Sequence, residues 1–219
     1  CDITLLSLTD EPAHLAPVEP LLEFCRRVEV ISIPRLRSQL QMVAALPERV
    51  PFQVAWFRSE AMNRLVDVTA REHFDLAFGY MFRVFPYLER LGSTPRFLDL
   101  QDALVMTYRA ALPYKPGLRG VAFREEMRRV EDYEGRVLDG LVEGWVVTEP
   151  DRQDFLRRRP AANVRVIPNG IDAARYATAI PADLSQFGIP RGAWTLVTVG
   201  RLTHQKGHDL LLQAVARRL

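Results

Sequence analysis

Phe74-Asp75-Leu76-Ala77-Phe78-Gly79, a helical stretch from Phe82 to Leu91, the stop at Gly92 and then Arg96-Phe97-Leu98-Asp99-Leu100 form the segment on which the fold turns. The outer runs are short and mostly apolar, the pattern of buried strands. The middle has helical spacing and ends at a glycine, the residue best suited to close a helix in a left-handed conformation. Strand, helix and strand in this order predict two parallel strands, because the helix carries the chain back to the edge where it started.

The same alternation extends both ways. Upstream, Ile3 to Leu8 reads as a strand, followed by a turn at Thr9-Asp10-Glu11-Pro12. Val18 to Arg27 has helical spacing through Leu21, Leu22 and Cys25, and Val28 to Ile33 is a strand stopped by Pro34. Leu36, Leu40, Val43 and Ala44 fit one helix, and Val54 to Ala70 is expected as another. Downstream, Pro113 to Gly120 reads as a loop. Met127, Val130, Tyr133, Val137 and Leu141 then mark a long helix, with Glu125 and Arg129 paired on its wet face. Strands at Gly144 to Thr148 and Val164 to Ile167 flank a helix from Glu149 to Arg159. The expectation is an α/β protein, a Rossmann-like parallel sheet with helices on both faces.

A second unit is expected after the turn Pro168-Asn169-Gly170-Ile171-Asp172. Past the polar stretch Pro181 to Gly192, Trp194 to Leu202 reads as an apolar strand carrying Gly200, and a helix opens after Lys206-Gly207. The division falls at 1–170 and 171–219, the second part being the opening strand and helix of another Rossmann-like lobe.

Composition narrows the function classes. Hydrophobic residues at 48% and charged residues at 26% suit a globular core. Lys and Arg number 29 against 27 for Asp and Glu, and a net charge of +2 carries no nucleic-acid signature. Cys1 and Cys25 are the only cysteines, without metal-ligand spacing, and read as free thiols of a reducing, cytoplasmic compartment. No apolar run reaches the ~18 residues of a membrane span, and the first residues read as a strand rather than a signal peptide.

The chemistry concentrates at Val199-Gly200-Arg201-Leu202-Thr203-His204-Gln205-Lys206-Gly207. Gly200 lets a ligand approach the backbone. Arg201 and Lys206 flank the loop, and a helix start beyond Gly207 adds unpaired N–H groups and partial positive charge. That combination suits a diphosphate, with Arg as a two-pronged donor and Lys as a point charge. An ordinary βα loop with two surface cations is the plainer alternative. Neither a Walker loop nor a G-x-G-x-x-G pattern occurs. His204 lies in the same loop and is a weaker donor contact.

Asn169-Gly170-Ile171-Asp172 after Val166-Ile167-Pro168, followed by Gly200-Arg201-Leu202 and Lys206-Gly207, resembles the group-1, family-4 retaining glycosyltransferases of the GT-B fold. Residues 3–166 resemble that family's acceptor lobe more loosely. The resemblance implies transfer of a sugar, with retention, from a nucleoside-diphosphate-sugar to a hydroxyl of a carbohydrate or lipid-linked acceptor, in glycan or polysaccharide synthesis. It implies donor binding by Gly200, Arg201, Lys206 and Gly207, with Arg201 and Lys206 stabilising the departing diphosphate. No cofactor, metal or nucleic-acid partner is expected. The implied place is the cytoplasm, with peripheral contact at the inner face of the membrane through a basic lobe. The family pattern also implies a strand and glycine-rich loop before residue 1 and a glutamate pair beyond residue 219. The 219 residues alone are therefore expected to be inactive.

Asp99, Gln101 and Asp102 end the fourth strand, where ligands of parallel sheets gather. They are the acceptor-side candidates. Many members of the family carry His where this chain has Gln101, which cannot act as a general base. Asp102 is then expected to position the acceptor hydroxyl, or else to cap the next helix. Other features have plainer readings. Arg124, Arg128 and Arg129 with Glu125, Glu126 and Glu131, and the run Arg157-Arg158-Arg159, read as solvated faces. Glu149 and Asp151 read as a helix-start pair. Phe78, Tyr80, Phe82 and Phe85 read as core and rim, and His14 and His73 as surface residues. The rival functions are another GT-B enzyme, such as a sugar-nucleotide epimerase or a phosphorylase, and a non-catalytic nucleotide- or glycan-binding module.

Overall fold

The computed structural model describes residues 1–10, 18–180, 182–190, 192–203 and 206–217. The chain divides into two compact units, Cys1–Pro168 and Asn169–Leu219. His14 and His204 lie outside the described residues, as do Glu11 and Pro12 of the expected turn.

The first unit is α/β. β1 (Thr4–Thr9) and β2 (Arg27–Ser32) pair in parallel. Three helices follow, α1 (Arg35–Ala44), α2 (Phe52–Trp56) and α3 (Glu60–Thr69). β3 (Ala77–Tyr80), β4 (Arg96–Gln101), β5 (Glu143–Val146) and β6 (Val164–Val166) make a four-stranded, all-parallel sheet in sequence order. The connections are α4 (Phe85–Glu89), then α5 (Leu104–Ala111) with α6 (Gly117–Asp139), then α7 (Glu149–Arg158). These are parallel sheets flanked by helices, the Rossmann-like arrangement that the βαβ pattern predicts.

The main core lies between this sheet and α4 to α7. Leu98, Leu100 and Val146 from the strands meet Phe82, Phe85, Val130, Val137 and Phe155. Gly79 packs closely there: a Cβ on it would lie 2.6 Å from Leu98 Cδ1 and 2.7 Å from Leu88 Cδ1, so a larger residue would have to displace both leucine ends. The opposite face carries Phe78, Phe97 and Trp145 in ring contact, Phe78 and Trp145 having centroids 5.0 Å apart. Phe82 and Phe85 are core, while Phe78 and Tyr80 stay exposed.

Several expected elements differ locally. The helix over 54–70 is two, because Ser59 interrupts it as an N-cap accepting from the Met62 amide. The helix over 82–91 starts as a 3-10 turn, Phe82–Val84, and becomes α4 only where Pro86 occupies a first-turn position. Helical structure within 18–27 is limited to a 3-10 turn, Glu19–Glu23, whose Leu21 and Leu22 find no core. α6 begins at Gly117, inside the expected loop.

The second unit holds α8 (Ala173–Ala177), a 3-10 turn at Leu184–Phe187 and α9 (His208–Ala216). α9 opens after Gly207 as expected. Trp194 to Leu202 is not a strand: no described residue of the run joins a ladder. Val199 and Leu202 are each 92% exposed. A strand exists only through hydrogen bonds to a neighbour, and the described residues of this unit contain no strand for it to pair with.

Arg124 and Arg128 of α6 are exposed as expected, but Arg129 and Glu126 correct the solvated-face expectation. Arg129 is 5% exposed. It donates to the Ala45, Leu46 and Val50 carbonyls at 3.0, 2.7 and 3.2 Å, at the end of α1 and in the following turn, and its Nε donates to Glu125 at 2.8 Å. Glu126, also buried, accepts from the Phe52 and Gln53 amides at 2.8 and 3.3 Å, which start α2. Glu134 accepts from the Leu104 amide at 3.2 Å and meets Arg158 of α7 at 2.8 Å. Arg158 is thus drawn inward to Glu134 and Asp154, whereas Arg157 remains exposed.

Two expectations follow. Replacing Arg129 by Met leaves buried carbonyls without donors, so urea unfolding is expected to show a loss of about 3 kcal/mol. Burial pushes the Glu134 carboxyl up, from 4.5 to about 7. A carboxyl whose folded value is raised stabilises the fold when protonated. Its contribution is full below about 4.5 and is lost as pH climbs through about 7. Glu134→Gln is expected to flatten the stability profile in that window, as read by urea midpoints against pH; an unaltered slope contradicts the assignment.

Candidate functional site

The carboxyl ends of β3, β4 and β5 meet through their backbones. The Met81 amide donates to the Asp99 carbonyl at 2.8 Å, and the Val147 amide donates to the Gln101 carbonyl at 2.9 Å. Both strand exits are bent by residues of positive φ that are not glycine: Met81 at 68° and Gln101 at 66°. β4 also shifts register against β5 between Asp99 and Gln101. Strain and bulges of this kind cluster where a sheet presents side chains to a ligand.

The bend decides what the acceptor-side candidates do. It returns Gln101 onto Asp99: the Gln101 amide donates to Asp99 Oδ1 at 3.0 Å, and Gln101 Nε2 donates to Asp99 Oδ2 at 2.6 Å. Both Asp99 oxygens are engaged by Gln101. Asp102 follows on the exposed side. The first amides of α5 are covered from elsewhere: Asp151 accepts from Ala103 at 2.9 Å, and Glu134 accepts from Leu104 at 3.2 Å. Asp151 is held in turn by Thr148, the α7 N-cap. Thr148 thus caps α7 and Asp151 anchors α5, while Glu149 pairs with Arg152.

The donor-side candidates lie in the second unit. Gly207 has φ of 63° and forms the N-cap of α9. This left-handed turn suits glycine. The Lys206 side chain folds back over Gly200, its Cγ 3.4 Å from where a Gly200 Cβ would stand. The His208 ring contacts the Arg201 carbonyl, Nε2 to O being 3.1 Å. The Lys206 amide donates to the Thr203 carbonyl at 3.0 Å. Gly200, Arg201, Lys206 and Gly207 thus belong to one tight bend, with the Arg201 and Lys206 residues exposed. Sequence reasoning passed over His208, although it stands directly after the Lys-Gly pair.

A cavity of about 510 Å³ in the first unit was not foreseen. It lies among α1, α2, α5 and the start of α6, with Phe52, Trp56, Tyr108 and Phe123 in its wall. Its aromatics come from distant segments, so no local spacing announces it. Among the described residues there is no cluster of three or more His, Cys, Asp or Glu that could hold a metal ion. No helix among them is long and apolar enough to cross a membrane.

Comparison with known proteins gives one relative. The chain is 30% identical over 96 residues to D-inositol 3-phosphate glycosyltransferase of Arthrobacter sp. (strain FB24). The matched stretch is 42% of this chain and 23% of that protein. This relates the chain to a glycosyltransferase. No family model matches the chain, and no solved structure matches it.

The strained strand exit offers a measurement. Met81 has φ of 68° and ψ of 143°, a region nearly reserved for glycine and costing of order 1–3 kcal/mol for other residues. Met81→Gly is expected to raise unfolding stability by about 1 kcal/mol. A clear loss in a urea titration would show that packing of the Met81 side chain outweighs the strain.

Proposed function

We propose that the protein transfers a sugar from a nucleoside-diphosphate-sugar to an acceptor hydroxyl, with retention, in the manner of the GT-B glycosyltransferases its motifs resemble. The carrying observation is the Gly200–Gly207 bend, where Lys206 packs over Gly200 and a left-handed glycine opens α9. A diphosphate lying on Gly200 would meet the Lys206 and Arg201 cations and the amides that start α9. As the glycosidic bond breaks, charge grows on the departing diphosphate, and the same groups stabilise it. A unit charge pair at ~4 Å is worth about 4 kcal/mol at an effective dielectric near 20. These cations take the place of a metal ion in neutralising the phosphates.

The similarity to an enzyme named for D-inositol 3-phosphate supports the transferase reading and an acceptor of polyol or carbohydrate type. Asp102, exposed just after β4, is the acceptor-side residue we favour for orienting the hydroxyl; both Asp99 oxygens are held by Gln101. That commitment also favours a second reading, a non-catalytic nucleotide-binding module, since Gln101 supplies no base.

Calorimetric titration of the chain with UDP, GDP and ADP tests the proposal. At least one is expected to bind more tightly than its nucleoside, and Arg201→Ala and Lys206→Ala each to weaken it about tenfold or more. Undiminished binding in both variants, or no preference for diphosphate over nucleoside, refutes the assignment. In a protein that also carries the implied glutamate pair, turnover of the sugar donor is expected to fall roughly 10²–10³-fold with the same substitutions, and this separates a transferase from a binding module.

A further inference from the structure

The cavity of about 510 Å³ in the first unit has the size of a small-molecule site. Five aromatic residues stand in its wall. Tyr108 and Phe123 meet edge to face with centroids 4.7 Å apart, and Phe52 and Trp56 come from α2. The polar groups in that wall are specific. Glu126 is spent on the Phe52 and Gln53 amides. Gln53 Nε2 donates to the Tyr108 hydroxyl at 2.7 Å, so the phenol oxygen is already an acceptor. Its own proton remains for a ligand, and burial, pushing the phenol up to about 12, keeps that proton in place.

The cavity carries charges of both signs: Glu126 lines it, and Asp10 accepts from Trp56 Nε1 at 3.1 Å. Lys115 and Arg119 line it, and among the described residues neither forms an ion pair. Lys115 rests over the Phe123 ring at 5.6 Å. A third cation stands behind the wall. The Arg83 guanidinium lies 4.9 Å from the centroid of the Phe57 ring, and Phe57 lines the cavity. Arg83 Nε is buried with no hydrogen-bond partner, and among the described residues no carboxylate lies in ion-pair contact with Arg83. Asp10 acts on Arg83 as a counter-charge through space, more weakly than burial does. Burial in fact lowers the Arg83 pKa.

We infer that this cavity binds an organic phosphate monoester: the apolar or aromatic body sits among Phe52, Trp56, Tyr108 and Phe123, and the phosphate meets Lys115 and Arg119. Lys115 and Arg119, neither in an ion pair among the described residues, together with the phenolic donor favour a dianion over a carboxylate. The rings favour an ester with an apolar body over free phosphate. This inference rests on the first unit alone and does not depend on the diphosphate bend.

The probe is 1-naphthyl phosphate, titrated into the chain by calorimetry, with 1-naphthol and inorganic phosphate as its separated halves. The ester is expected to bind at least tenfold more tightly than either half. Arg119→Gln and Lys115→Gln, at exposed positions that leave folding intact, are each expected to weaken it severalfold. Phe123→Ala is expected to weaken the ester while leaving the response to inorganic phosphate unchanged. No ester binding at millimolar concentration, equal binding by naphthol, or indifference to both Arg119→Gln and Lys115→Gln overturns the inference. UDP binding lost in Lys206→Ala but naphthyl phosphate binding kept would show the two sites to be separate; failure of either titration alone leaves the other site standing.

Discussion

Helix ends in the first unit are closed from outside, and α6 does most of the closing. A helix leaves its first amides and last carbonyls without internal partners. Here Arg129 reaches the carbonyls that end α1, Glu126 takes the amides that begin α2, and Glu134 takes one that begins α5. Each contact also satisfies a charged group that burial would otherwise penalise. One helix thereby sets the position of three others. The cavity wall at α2 and α5 and the exit of β4 into α5 both depend on that bracing.

The bracing explains how strain survives at the strand ends. Met81 and Gln101 hold backbone conformations that favour glycine. Such a conformation persists only when its surroundings over-determine it. α4 is pressed on β3 through the missing Cβ of Gly79, and α5 is tied down by Asp151 and Glu134 immediately after Asp102. With both sides fixed, the chain turns sharply and folds Gln101 onto the Asp99 carboxylate. The chemistry available at that edge is a consequence of packing several residues away.

The second unit works on a shorter scale. Its bend needs only neighbours in sequence: Gly200, Lys206, Gly207 and His208 make their contacts within a span of nine residues. The apolar run before it is the opposite case. Trp194, Val197 and Val199 have strand composition, yet they are exposed, because apolar composition supplies burial energy only when another layer is present to bury against.

What the sequence by itself determined was whatever depends on local pattern: the alternation of strands and helices, the parallel sheet it requires, the strand at Arg96–Gln101, the α7 start pair and the glycine bend before α9. Tertiary structure alone decided the rest. Charge spacing on α6 cannot distinguish a solvated arginine from one aimed at another helix, so Arg129, Glu126 and Arg158 read as surface until their partners were in place. The break at Ser59 competed with an unbroken helical pattern, and the cap won. Asp99 could be read as available until a positive φ at Gln101 laid the neighbouring amide across it. The aromatic cavity joins segments from Met42 to Glu126. A site assembled across that distance has no local signal, because its geometry is fixed by helix packing and not by the order of residues along the chain.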